Sequence, residues 1–237
     1  MDTGTLKYIT EGLSQAFDLI VTFNKDVYTI VGLSIYCSSA STLIGSLFAL
    51  PIGFMIGISR FRGRNSVITI FNTLMALPTT AVGLFCYAFL SRSGPLGFLG
   101  LLFTPSAIII GEVILCFPII TAFAISVADG INPLVRDTAY TLGASRFQAL
   151  RAAAGEGRIG FLCAIVSGFG RVIAEVGSAM MLGGNIRGHT RTIPTAIALE
   201  TGKGEFALGM ALGIILLVLA LSVNIFASRL KRIGEEK

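Results

Sequence analysis

The chain has 237 residues, of which 54% are hydrophobic and only 13% charged. Its mean hydropathy is +0.82, whereas a soluble domain carries about 25% charged residues, so water is not its main solvent. The formal net charge of +5 sits in short clusters between apolar runs and not in one stripe, which argues against a nucleic-acid surface and for membrane orientation.

Residues 1–27 form an N-terminal amphipathic segment. Leu6, Ile9, Leu13, Phe17 and Ile20 recur at helical spacing, which suits a helix lying on the membrane surface. Charges at Asp2, Lys7, Glu11 and Asp18 interrupt any continuous apolar core, so the segment is expected to be retained and not cleaved as a signal peptide.

Residues 28–228 are expected to form one transmembrane domain. A span needs about 20 mostly apolar residues, and Tyr28–Ile58, Ser66–Leu90, Pro105–Ala128, Ile159–Leu182 and Phe206–Ala227 meet that need. The fold class is therefore an all-α membrane protein with about five transmembrane helices. Pro51, Pro78 and Pro118 predict bent helices, and 28 glycines allow close helix approach. Cys37, Cys86, Cys116 and Cys163 each fall inside an apolar run without metal or redox spacing and read as buried thiols.

Residues 229–237 are a basic tail. One set of connections carries Arg60, Arg62, Arg64, Arg136, Arg146, Arg151, Arg158, Arg229, Lys231, Arg232 and Lys237; the other carries only Lys7, Lys25, Arg92, Arg187, Arg191 and Lys203. The richer side is expected to be cytoplasmic, which puts the C-terminus inside and the N-terminus outside.

The long connection at residues 129–158 is too polar to cross a bilayer. Asn132 suits an N-cap and Pro133 a first helical position. Val135, Ala139, Leu142, Phe147 and Leu150 then form an apolar face broken near Gly143, which predicts two short helices with a bend. Such a hairpin buries its face against the membrane or in a partner's groove.

Arg171 and Glu175 stand four apart in the fourth run, on one helix face near the bilayer interior. Charges there face the bundle interior or water, either as part of a translocation pathway or as a structural ion pair. Glu112, in the outer part of the third run, is a further candidate partner. In the outer connection, Arg187, His189 and Arg191 lie beside a short apolar stretch, Ile197 to Leu199. They read either as a solvated loop or as an outer gate that attracts anions.

Two sets of residues carry a resemblance. The run from Asp137 and Ala139 through Leu142, Gly143, Ala144 and Ser145 resembles the EAA loop of ABC-importer permeases, with Asp137 where Glu is usual. Ser91–Pro105, Gly168–Thr192 and Thr195–Gly213 resemble the tungstate importer permeases, relatives of the molybdate and sulfate permeases. The resemblance implies a type I ABC importer permease, MetI-like, with residues 129–158 as a cytoplasmic coupling-helix hairpin. It implies a multi-pass protein of a bacterial or archaeal cytoplasmic membrane. The partners implied are a second copy of the chain, a cytoplasmic ABC ATPase dimer that binds ATP and Mg, and an extracytoplasmic tungstate- or oxyanion-binding protein. No cofactor is expected in this chain, since it has no GxxxxGK[ST] phosphate loop. An embedded enzyme would need Glu112, Glu175 and His189 to converge, and a passive anion channel would conduct without an ATPase; both are kept as alternatives, as are molybdate and sulfate as substrates.

Overall fold

The computed structural model describes residues 3–235, with side chains described for residues 11–232. Apart from one 3-10 turn at Gly97–Leu99, the regular elements among the described residues are α-helices. They are α1 (Thr3–Val21), α2 (Lys25–Ile58), α3 (Arg64–Leu74), α4 (Thr79–Leu90), α5 (Pro105–Asp129), α6 (Leu134–Thr141), α7 (Arg146–Glu156), α8 (Arg158–Val172), α9 (Gly177–Gly183), α10 (Ile193–Lys203) and α11 (Phe206–Glu235). Helices α2, α5 and α11 are each long and apolar enough to cross a membrane, and by length and composition alone the bent pairs α3–α4 and α7–α8 would bring the number to as many as five.

The chain divides into two compact units. The first comprises Met1–Ser41, Pro78–Glu112 and Arg171–Ser222. In it Val27 and Ile30 of α2 bury against Ile193 and Ala196 of α10 and Leu212 of α11. Cys37, Ile108 and Ala179 form a second buried cluster. Helix α4 packs on α9, where Gly83 leaves its place to Ser178 and Met181.

The second unit comprises Thr42–Leu77, Val113–Gly170 and Val223–Lys237. Its centre is a row of small residues on α2, Gly45, Ala49, Gly53 and Gly57, one turn apart. A Cβ on Gly53 would lie 2.6 Å from Cβ of Ala124 and 2.7 Å from the Thr121 carbonyl; on Gly57 it would lie 2.5 Å from Cβ of Ala128. Lipid offers no hydrophobic gain for helix pairing, so close backbone approach has to supply it. At the end of α2, Arg64 donates to the carbonyls of Ile56 and Gly57 at 3.2 and 3.3 Å and pairs with Asp129 at 2.6 Å. Arg136 donates to the Ile58 carbonyl at 3.4 Å. These carbonyls have no partner inside the helix.

Three expectations change. The second predicted span is not continuous, because α3 ends at Leu74 and α4 starts at Thr79. Pro78 lacks an N–H and disfavours helix at Leu77. The fourth predicted span, Ile159–Leu182, is also interrupted, between Val172 and Gly177. There Glu175 Oε1 accepts the Ser178 N–H at 3.2 Å, and Gly177 lies where a Cβ would meet Thr79 and Thr80 at 2.8 and 2.9 Å. The basic tail is not separate: Arg229, Lys231 and Arg232 belong to the last turns of α11, and Lys237 lies outside the described residues. Helix α1 forms as expected, with Leu13 and Phe17 exposed, while Leu6 and Ile9 lie outside the described side chains. All four cysteines are buried and none is in a disulfide.

Candidate functional site

The connection after α5 folds as the predicted hairpin. Asn132 Oδ1 accepts the Leu134 N–H at 3.0 Å, but α6 starts one residue later than the sequence suggests and Pro133, not Asn132, occupies the N-cap position. Gly143 adopts φ +81°, a conformation that costs an L-residue with a side chain about 1–2 kcal/mol. Ser145 and Gln148 close a reciprocal capping box at the start of α7. The predicted apolar face divides in two. Val135, Ala139 and Leu150 are half-buried, whereas Leu142 and Phe147, on either side of the glycine, are 82% and 76% exposed. Asp137 is exposed, Ala144 half-buried and Ser145 exposed. At its turn the hairpin therefore presents Leu142 and Phe147 uncovered, with Leu134 64% exposed at the start of α6.

The charged residues inside the predicted spans all have partners. Arg171 pairs with Glu175 at 2.9 Å, with side chains 38% and 3% exposed. Arg171 is in the last turn of α8 and Glu175 in the break that follows, so the pair bridges the interruption and is not the i,i+4 pair of a continuous helix. Glu112 does not join it. Its Oε2 is 2.7 Å from the hydroxyl of Ser41, and the residue is 2% exposed. Ser34, Ser38, Thr42 and Ser178 are also buried, and Ser34, Ser38 and Ser41 run along one stretch of α2.

The outer connection is far more ordered than a solvated loop. Asn185 takes φ +52° and donates to the Thr195 carbonyl at 3.1 Å. Thr190 Oγ1 donates to the Gly183 carbonyl and accepts the Ile186 N–H at 3.0 Å. Thr192 and Thr195 form a capping box for α10, and Ile193 N–H donates to Ser34 Oγ at 2.6 Å. The stretch Ile197 to Leu199 belongs to α10.

Both outer arginines meet carboxylates. Arg191 binds Glu200 at 2.9 Å, with side chains only 11% and 6% exposed, and also donates to the Asn185 carbonyl at 3.4 Å. Lys203 reaches the same Glu200 oxygen at 3.2 Å. Arg187 pairs with Asp26 on the surface; that hydrogen bond and the Asp26 charge raise its pKa above the ordinary value. His189 is exposed, and among the described residues no group of three metal-ligating side chains forms. Sequence reasoning missed Ser41, Asp26 and Glu200 as partners. Glu200 had one readable signal, its i,i+3 spacing to Lys203; the other two lie far from their partners along the chain.

Residues 49–232 match the family model described as binding-protein-dependent transport system inner membrane component. The tungstate uptake system permease protein of Peptoclostridium acidaminophilum is 38% identical over 219 residues, covering 92% of this chain and 96% of the relative. The tungstate uptake system permease protein of Campylobacter jejuni is 37% identical over 227 residues, covering 96% and 95%. The molybdenum transport system permease protein of Azotobacter vinelandii is 24% identical, covering 86% and 95%. Among solved structures, an inward-facing form of the MetNI methionine ABC transporter matches with a TM-score of 0.69 at 16% identity, covering 92% of this chain and 98% of that one. A bacterial alginate ABC transporter in complex with its alginate-loaded periplasmic protein also gives 0.69, at 23% identity, covering 97% and 89%; both show the fold. The all-helical chain, with its apolar helices and projecting hairpin, belongs to the binding-protein-dependent transport system inner membrane component family.

Proposed function

We propose that this chain is the permease subunit of an ATP-driven importer that carries tungstate across the membrane. The observation that supports the mechanism best is the α6–α7 hairpin, whose Leu142 and Phe147 stand exposed at a turn that needs Gly143. Two large apolar side chains held on a rigid turn fit a groove of a partner protein, here a cytoplasmic ABC ATPase that binds ATP and Mg. In this reading the hairpin side is cytoplasmic, the N-terminus is outside, and two copies of the chain flank the pore. The two tungstate permeases at 38% and 37% identity support tungstate, and the molybdenum permease at 24% makes molybdate the second reading.

The substrate arrives from an extracytoplasmic binding protein, on the side of Arg187, His189 and Arg191. Arg171, Glu175 and Glu112 are the candidates for the pathway wall. Because Arg171 and Arg191 are already matched by carboxylates, they act there first by keeping buried charge neutral and only then on a passing anion. The chain itself supplies conformational change and not hydrolysis.

Uptake of labelled tungstate and molybdate into proteoliposomes that hold this chain with its ATPase and binding protein tests the proposal. ATP-dependent accumulation that prefers tungstate is the expected result. Preference for molybdate replaces the substrate and leaves the mechanism, and flux that ignores ATP refutes the mechanism.

A further inference from the structure

A second site lies in the second compact unit, on the side of α7 that continues from the hairpin into α8. A cavity of about 750 Å³ opens between α5, α7, α8 and α11. Its walls are Phe123 and Val127 of α5 and Ile159, Cys163 and Ala164 of α8, and its rim carries Arg158, Lys231 and Glu156. The cavity forms because the chain turns by 63° between α7 and α8, while Gly160 lets α8 press on Val127. The far wall is fixed by α11, where Cys163 Sγ lies 3.9 Å from the Ala227 carbonyl.

Three features give the cavity a direction. The cations sit where α8 begins and where α11 passes from its apolar run into charged residues, which is the level of a membrane–water interface. From Arg158 to Ser167 the groove follows α8 for about 14 Å at the rise of a helix, passing Ile159, Gly160, Cys163 and Ala164. At its inner end Ser167 spends its hydroxyl on the Cys163 carbonyl at 2.8 Å, so no hydroxyl proton remains there for a polar ligand. A cationic rim with one carboxylate, above a trough that presents the side chains of Phe123, Val127 and Ile159, matches an amphiphile with an anionic head. Basic pockets between membrane helices bind such headgroups.

We propose that this cavity holds an anionic phospholipid, its phosphodiester on Arg158 and Lys231 and an acyl chain along Phe123, Val127 and Ile159. The inference is independent of the transported substrate.

The test uses the full chain purified in mild detergent, exchanged with mixed micelles of phosphatidylcholine and phosphatidylglycerol and examined by native mass spectrometry. Each cation near a bilayer surface contributes about a fivefold preference for anionic lipid. Arg158→Ala with Lys231→Ala is therefore expected to lower the retained phosphatidylglycerol by roughly 25-fold, and raised salt is expected to weaken retention. Arg62→Ala with Arg151→Ala removes two exposed arginines outside the cavity and is expected to leave retention unchanged. Equal losses in the two double variants would mean a general charge effect and would overturn the proposal. Inorganic phosphate displacing the lipid as well as phosphatidylglycerol does would mean a free anion site, and a second copy of the chain covering the cavity, seen as protection of Cys163 from alkylation only in the dimer, would mean a protein interface; either overturns it. A separate thiol readout guards against misfolding: Cys163 in the wild type is expected to react more slowly with a maleimide when phosphatidylglycerol is present than with phosphatidylcholine alone.

Discussion

Replacing Arg191 separates a structural from an anion-binding role. Its guanidinium and the Glu200 carboxylate are 11% and 6% exposed, and losing one partner of a fully buried pair costs about 3–5 kcal/mol. Lys203 stays 3.2 Å from the same oxygen and keeps part of the compensation, so Arg191→Ala is expected to cost about 2 kcal/mol. In a chain of this size that lowers the melting temperature by roughly 4–8 °C. Adding Glu200→Gln removes the stranded charge and is expected to restore at least half of the loss, a coupling that a double-mutant cycle reads directly. Thermal unfolding of the purified full chain measures stability, and tungstate uptake in proteoliposomes measures function. If Arg191 serves the fold, uptake recovers together with stability in the double variant. A double variant as unstable as the single, or additive losses, would refute the reasoning, because Glu200 would then not be the group that Arg191 neutralises.

Leu142→Asp and Phe147→Asp are each expected to leave the melting temperature within about 2 °C, since surface changes are worth within about 0.5 kcal/mol, while co-purification with the ATPase falls at least tenfold. Gly143→Pro, which cannot take φ +81°, is expected to uncouple ATP hydrolysis from uptake, as is Asp137→Arg; tight coupling in both would count against the hairpin as the docking element. Gly53→Leu forces a side chain into the Thr121 carbonyl and Ala124, and a loss of about 3 kcal/mol or failure to fold is expected, whereas Gly155→Leu, with open space around it, is expected to be tolerated; equal outcomes in thermal unfolding would reject the close packing of α2 on α5. Arg171→Ala leaves the buried Glu175 without its cation and is expected to lower the melting temperature more than Arg92→Ala, which changes an exposed residue.

The long helices were legible because hydropathy reports the solvent directly: α2, α5 and α11 start within three residues of where their apolar runs begin. The hairpin was legible as well, since Asn132, Gly143 and Ser145 carry local signals that do not depend on the rest of the chain. The break at Pro78 had a visible cause in its missing N–H, but a membrane helix tolerates proline when neighbours satisfy the freed carbonyl, and Pro51 and Pro118 lie inside continuous helices. Nothing local distinguishes the three. The break before Gly177 rests on contacts with Thr79 and Thr80, nearly a hundred positions away. The outer connection misled for a related reason. Asn185, Thr190, Thr192 and Thr195 are residues typical of solvated loops, and their burial depends on Ser34 and on one another, a cooperation that composition does not encode.

Arg64 and Arg136 belong to the arginine-rich side by which the sequence orients the chain, and each also closes carbonyls at the end of α2. Orientation signal and helix terminus are thus written in the same two side chains. Experiments that move positive charge to invert the topology would, at these two positions, also unfasten a helix end, and an inactive product would not by itself report an inverted protein. Neutral donors such as Gln at positions 64 and 136 would keep hydrogen bonding while removing the charge, giving a way to vary insertion without disturbing the end of the longest helix.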